Sequence, residues 1–151
     1  MKLILVRHGE VISIADSGLT KKGRVQAEKL AARLRKEKID AIYSSDLKRT
    51  MQTAKEISKI RKQRVIFTKV LREVENEIVE SRKQDWRKSK ENNKRIKEIK
   101  DFLKELDKKY KFGTVLIIAH GKINRVITGA LIKVVPQNLA CFMVKHCSIS
   151  V

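Results

Sequence analysis

Short apolar runs alternate with amphipathic stretches along most of the chain. Leu3–Val6, Ala41–Tyr43, Val65–Phe67, Val115–Ala119, Phe142–Val144 and Ser148–Val151 read as strands. Several lack polar alternation, which predicts burial on both faces. The segments between them carry helical spacing. Thr20 is the expected cap of a helix that turns Ala27, Leu30, Ala31 and Leu34 to one side. Ser45 or Asp46 is expected to open the next, with Leu47, Met51, Ala54 and Ile57 inward. Strand alternating with helix predicts an α/β fold, three layers α/β/α around a mostly parallel central sheet. From Glu75 to Lys111 no strand pattern occurs and charged residues dominate. Ile96, Ile99, Phe102 or Leu103, Leu106 and Tyr110 there predict a long amphipathic helix, opened near Asn92 or Asn93. This stretch reads as a short helical insertion in one domain spanning 1–151. Pro136, the only proline, breaks the chain after the helix that follows His120.

Two of the strands run into the same dipeptide. "LILVRHG" and "VLIIAHG" each carry an apolar run into His-Gly, at His8-Gly9 and His120-Gly121. In a parallel sheet both ends open on one edge, where open α/β folds bind ligands. A third strand reaches the segment "YSSDLKRTMQTA", which places Arg49 in the first turn of the following helix. Helix N-termini attract anions, so an arginine there is costly unless an anion joins it. Taken singly, Arg49 reads as a solvated surface residue. Beside Arg7 it supplies a second guanidinium fork for phosphate oxygens.

Charge points the same way without choosing a partner. The 151 residues hold 36 Lys and Arg against 17 Asp and Glu, a formal net charge of +19. That field favours acidic partners such as phosphorylated metabolites, phosphoproteins, nucleic acid or anionic surfaces. Aromatic residues are only 5%, which argues against a nucleic-acid stacking surface. No apolar run approaches the roughly 20 residues of a membrane helix, and the stretch before Arg7 is too short for a signal peptide. A cytoplasmic protein with no membrane partner is the expectation. Cys141 and Cys147 lack the spacing of a zinc or redox site and read as reduced core thiols.

Taken in order, these segments resemble the histidine phosphatase superfamily, the phosphoglycerate mutase-like proteins. "LVRHGE", "DSGLTKKGRVQAEKLA", "YSSDLKRTMQTAKEI", "VLREV", "VLIIAHGKINRVI" and "CSISV" correspond to successive family segments. The resemblance implies that His8 is the nucleophile and that Arg7 and Arg49 grip the phosphoryl oxygens. It implies a protonated His120 stabilising the transferring group, and Gly9 and Gly121 lying against the pocket. Glu73 becomes the acid and base, because Leu71 precedes it by two; Glu75, Glu77 and Glu80 remain open. No metal and no cofactor is expected. The insertion at about 75–111 is expected beside the pocket mouth, where its basic residues, Arg82, Lys83, Arg87 and Lys88 among them, would steer anions. His146 matches no family motif and reads as structural or exposed.

The departures are informative. Ile14 stands where many members have asparagine, and Asp46 replaces a proline with another helix-start residue. Lys122 follows the second His-Gly, where a small or amide residue is usual. It faces either the substrate phosphate or solvent. The short insertion and the end of the chain at Val151 weaken a mutase reading. The first expectation is therefore a metal-independent phosphomonoester phosphatase acting on a small phosphorylated metabolite or a phosphoprotein, with a homodimer open. A phosphohistidine phosphatase, a phosphoglycerate mutase and a polyanion-binding module are the alternatives.

Overall fold

A computed structural model of the chain describes residues 1–12, 18–73, 90–134 and 145–151. Among these, one sheet contains β1 (Lys2–Arg7), β2 (Ala41–Ser45), β3 (Val65–Thr68), β4 (Thr114–Ala119) and β5 (Ile149–Ser150). Its order is β3-β2-β4-β1-β5; four strands are parallel and β5 lies antiparallel to β1. The helices are α1 (Lys21–Leu34), α2 (Lys48–Arg61), α3 (Lys90–Lys109) and α4 (Gly121–Ile132), with one 3₁₀ turn at Lys69–Leu71.

Side chains of a strand point alternately to its two faces, and here both faces are covered. Leu3, Leu5, Val115 and Ile117 meet Ile99, Leu103 and Leu106 of α3 and Ile123, Val126 and Ile127 of α4. Ile4, Val6, Leu116 and Ile118 meet Leu30, Ala31 and Leu34 of α1 and Ala54 and Ile57 of α2. This double burial accounts for the unbroken apolar runs of β1 and β4, and gives the three layers predicted.

Several local expectations change. β3 is the sheet edge, and its Ile66 and Phe67 are exposed, so its run reflects strand propensity rather than two-sided burial. Met51 is exposed and Leu47 half-buried; Thr50 and Thr53 take inward positions on α2 instead. The helix has Leu47 at its cap with no side-chain hydrogen bond, so neither Ser45 nor Asp46 caps it. Thr20 does cap α1, accepting from the Gly23 N–H. The helix α3 begins at Lys90, before Asn92 and Asn93. Ile14, Glu75, Glu77, Glu80, Pro136, Cys141, the run Phe142–Val144 and the basic group Arg82 to Lys88 lie outside the described residues.

The register of the two central strands sets the site. Arg7 pairs with Ala119, so His8 and His120 leave the sheet side by side, joined by the His8 N–H to Ala119 carbonyl bond of 3.0 Å. On the other side of β4, strand β2 delivers Ser45 to the same edge, where α2 begins.

Candidate active site

Each predicted residue reaches this edge by a different route. His8 and His120 come from the ends of β1 and β4, and their ring centroids lie 5.1 Å apart. Arg49, in the first turn of α2, is buried rather than solvated, and its Nε–H donates to His120 Nδ1 at 3.2 Å. Arg7 ends β1, and a Cβ added at Gly121 would meet its guanidinium at 3.5 Å, ordinary contact distance. Gly9 serves packing. A Cβ there would stand 2.5 Å from the Gly23 carbonyl, so the loop after β1 presses directly on the start of α1. Its N–H donates to Thr53 Oγ1 at 3.1 Å, tying that loop to α2 as well.

Glu73 is held from three sides. Arg72, its neighbour, makes a two-pronged pair with Asp46 at 2.7 Å per contact. Arg95 of α3 donates to the carbonyls of Lys69, Val70 and Arg72. The Glu73 carboxylate itself accepts the Ile123 N–H at 3.1 Å, at the N-terminal turn of α4. Asp46, expected only to start a helix, thus positions the chain that carries Glu73.

The two imidazoles are wired differently. His8 Nδ1 lies 2.7 Å from the Gly9 carbonyl. A carbonyl only accepts, so Nδ1 carries the proton and Nε2 keeps its lone pair. His120 has the opposite tautomer: Nδ1 accepts from Arg49, so Nε2–H donates to Ser45 Oγ at 3.0 Å. Burial and the adjacent guanidiniums disfavour charge on both rings. His8 is pushed down to about 3, chiefly by burial, and His120 to about 2, by burial and then Arg49. Burial and Arg49 thus oppose the protonated His120 that is expected beside a phosphate dianion.

Sequence reasoning set His146 aside, and the structure places it at the site. Its ring lies 5.6 Å from that of His8, and it lines a mouth of about 580 Å³ with Arg7, Glu10, Lys22, Glu73, Lys122 and Arg125 among others. Burial and Arg7 hold His146 below its ordinary range. The available signal was positional: a histidine just before the strand that returns beside β1. Lys122, left between substrate and solvent, also lines this mouth. Among the described residues no group of three His, Cys, Asp or Glu side chains could hold a metal, and no helix is long and apolar enough to cross a membrane. Cys147 is a half-buried free thiol, and burial raises it to about 11.

Paired imidazoles and two guanidiniums thus stand together at the carboxyl edge of a parallel sheet. Residues 3–151 match the family model of the histidine phosphatase superfamily, branch 1, and the chain belongs to that superfamily. Phosphoserine phosphatase 1 of Hydrogenobacter thermophilus is 31% identical over 89% of this chain and 77% of its own. A probable phosphoglycerate mutase GpmB of Yersinia enterocolitica is 36% identical over 58% of this chain, which spans about half (48%) of that relative. Among solved structures, phosphoserine phosphatase from Entamoeba histolytica in complex with 3-phosphoglyceric acid aligns with a TM-score of 0.79. That likeness, at 22% identity, covers 97% of this chain and 87% of that one, and shows the fold. The mycobacterial glucosyl-3-phosphoglycerate phosphatase aligns with a TM-score of 0.78 at 20% identity, over 97% of this chain and 87% of that one. The chain is thus a phosphatase of the histidine phosphatase type, as its sequence predicts.

Proposed function

We propose that this chain hydrolyses small phosphomonoesters through a phosphohistidine on His8, without a metal. The observation that carries the assignment is the wiring of the two rings. Both nitrogens of His120 are engaged, whereas among the described residues nothing hydrogen-bonds His8 Nε2. A neutral ring with one free lone pair is a nucleophile. A ring held by an arginine and a serine is a stabiliser.

In the first step His8 Nε2 forms a bond to phosphorus and the P–O ester bond breaks. Glu73 gives its proton to the departing alkoxide from the oxygen not engaged with Ile123. In the second, Glu73 takes a proton from water as the new P–O bond forms and the N–P bond breaks. Inorganic phosphate leaves and the neutral ring returns. Arg7 and Arg49 grip the phosphoryl oxygens, and the dianion they bind favours charge on His120, whose Nε2–H turns from Ser45 toward it. Two guanidiniums and an imidazolium supply the positive field that a metal supplies elsewhere, so chelator should leave the rate unchanged.

A metabolite-sized substrate suits a mouth of about 580 Å³. Hydrolysis is favoured over mutase chemistry by the relatives: the phosphoserine phosphatase covers 89% of the chain, the mutase 58%. The test is rapid mixing with phosphomonoester followed by quench. It should leave acid-labile, base-stable phosphate on His8, and His8→Ala should lose label and turnover together. Undiminished turnover in His8→Ala would end the proposal.

A further inference from the structure

Helix α2 buries two threonines, Thr50 and Thr53, and each spends its hydroxyl proton on a carbonyl. Thr50 bonds within its own strand–helix unit, to the Ser45 carbonyl at 2.9 Å. Thr53 reaches further. Its hydroxyl proton goes to the Arg49 carbonyl at 2.9 Å, one turn back on the helix. A carbonyl only accepts, so the Thr53 oxygen keeps its lone pairs, and one of them takes the Gly9 N–H at 3.1 Å. Bonding of a helical threonine to the carbonyl four residues earlier is common and by itself means little. The second bond crosses 44 residues to the glycine beside the nucleophile.

Gly9 is anchored on its other side as well. The Glu10 N–H donates to Gln26 Oε1 of α1 at 2.9 Å. That N–H and the Gly9 carbonyl belong to one planar peptide and point opposite ways. The Gly9 carbonyl is the group that holds the His8 proton on Nδ1, at 2.7 Å. A glycine has no Cβ to limit its backbone, so Gly9 keeps neither direction by itself. A carbonyl that swings off Nδ1 leaves the proton free to sit on Nε2. There it occupies the lone pair that attacks phosphorus.

Resting on the phosphatase reading, we propose that Thr53 and Gln26 are positioning residues of the nucleophile. From α2 and α1 they clamp the two peptides that flank Gly9, and so keep the His8 proton on Nδ1 and Nε2 open toward phosphorus. They act through Gly9 and not on the substrate. Thr53 has a second task. The same hydroxyl holds the Arg49 carbonyl, so the loop of the nucleophile and the turn of the phosphoryl-gripping arginine move as one piece.

The test pairs nitrogen-15 NMR of the ligand-free, imidazole-labelled full chain with rapid-quench phosphorylation by para-nitrophenyl phosphate. Thr53→Val keeps the shape and removes the hydroxyl. It should mix the two His8 tautomers and slow label formation on His8 by about tenfold, the scale of one lost hydrogen bond, with KM little changed. Thr53→Ser should restore both. Gln26→Leu should mix the tautomers in the same way, and Gln26→Glu, which keeps an accepting oxygen, should not. Gln26 is only partly buried, so its variants decide the matter if Thr53→Val does not fold. His120 should keep its Nε2 proton throughout, which separates release of Gly9 from a general loosening of the site. The inference is overturned if a folded Thr53→Val or Gln26→Leu protein leaves His8 wholly protonated on Nδ1, forms label at the wild-type rate, or disturbs His120 equally. Failure of the phosphohistidine reading looks different: no label on His8 in the wild-type protein.

Discussion

The ends of β1 and β4 carry the same dipeptide in the same setting, yet their surroundings hold the two rings in opposite tautomers. At His8 the backbone folds back so that the Gly9 carbonyl fixes the proton on Nδ1. At His120 the ring is caught between Arg49 and Ser45, two residues from another strand–helix unit. The tautomer is therefore set by what the neighbouring element brings, and the His-Gly pair by itself decides nothing. Fold likeness carries the position of such residues, and hydrogen bonding carries their chemistry.

Exchanging or deleting these partners breaks the comparison by graded amounts. The largest effect belongs to the ring with the free nitrogen. His8→Ala should remove essentially all turnover, whereas His120→Ala should retain a measurable rate, reduced by roughly 10²–10³, the scale of losing one charge-stabilising donor. Steady-state kinetics on both variants checks the order. Equal losses would mean that the difference in wiring has no functional meaning.

Glu73→Gln comes next, with an expected fall in kcat of ~10²–10⁴ for loss of acid–base help. Poorer leaving groups should suffer more, since they depend most on the proton. A variant that slows good and poor leaving groups alike would remove Glu73 from that step.

The segments differ in how far sequence revealed them. Burial on both faces writes an unbroken apolar run, so β1 and β4 were legible, as was the face of α1 carrying Ala27, Leu30 and Leu34. Contacts between distant segments leave no such trace. Nothing in the spacing of Asp46 and Arg72, 26 residues apart, announces a two-pronged ion pair. His146 is 138 residues from His8 and meets it only because β5 returns antiparallel beside β1. The suppressed charge of His120 was hidden for the same reason: it comes from burial and from Arg49, a residue of a distant segment.

Acid pH sharpens the comparison through stability. Both rings lie well below the value of about 6.5 they have in the unfolded chain, so the unfolded state binds more protons below that pH. Their contribution is complete above pH 6.5 and drains as pH falls toward the folded values. The slope approaches about 1.4 kcal/mol per pH unit for each ring. Denaturant unfolding between pH 7 and 5 should show this slope, and His8→Ala should reduce it. A flat profile would contradict two buried neutral imidazoles.

The smallest expected effect concerns the clamp behind Glu73. Asp46→Asn should cost about 1 kcal/mol of stability or less, because the pair is partly exposed. It should also slow kcat a few-fold by loosening the segment that carries Glu73, with KM little changed. A change in KM alone would separate Asp46 from the acid–base group.

The opposed tautomers are the root of the whole assignment, and nitrogen-15 NMR of imidazole-labelled, ligand-free protein at about pH 6.5 reads them directly. The account predicts a neutral His8 protonated on Nδ1 and a neutral His120 protonated on Nε2, with His120 acquiring a second proton when a phosphate analogue binds. The same tautomer on both rings, or a charged His8 in the empty pocket, would contradict it.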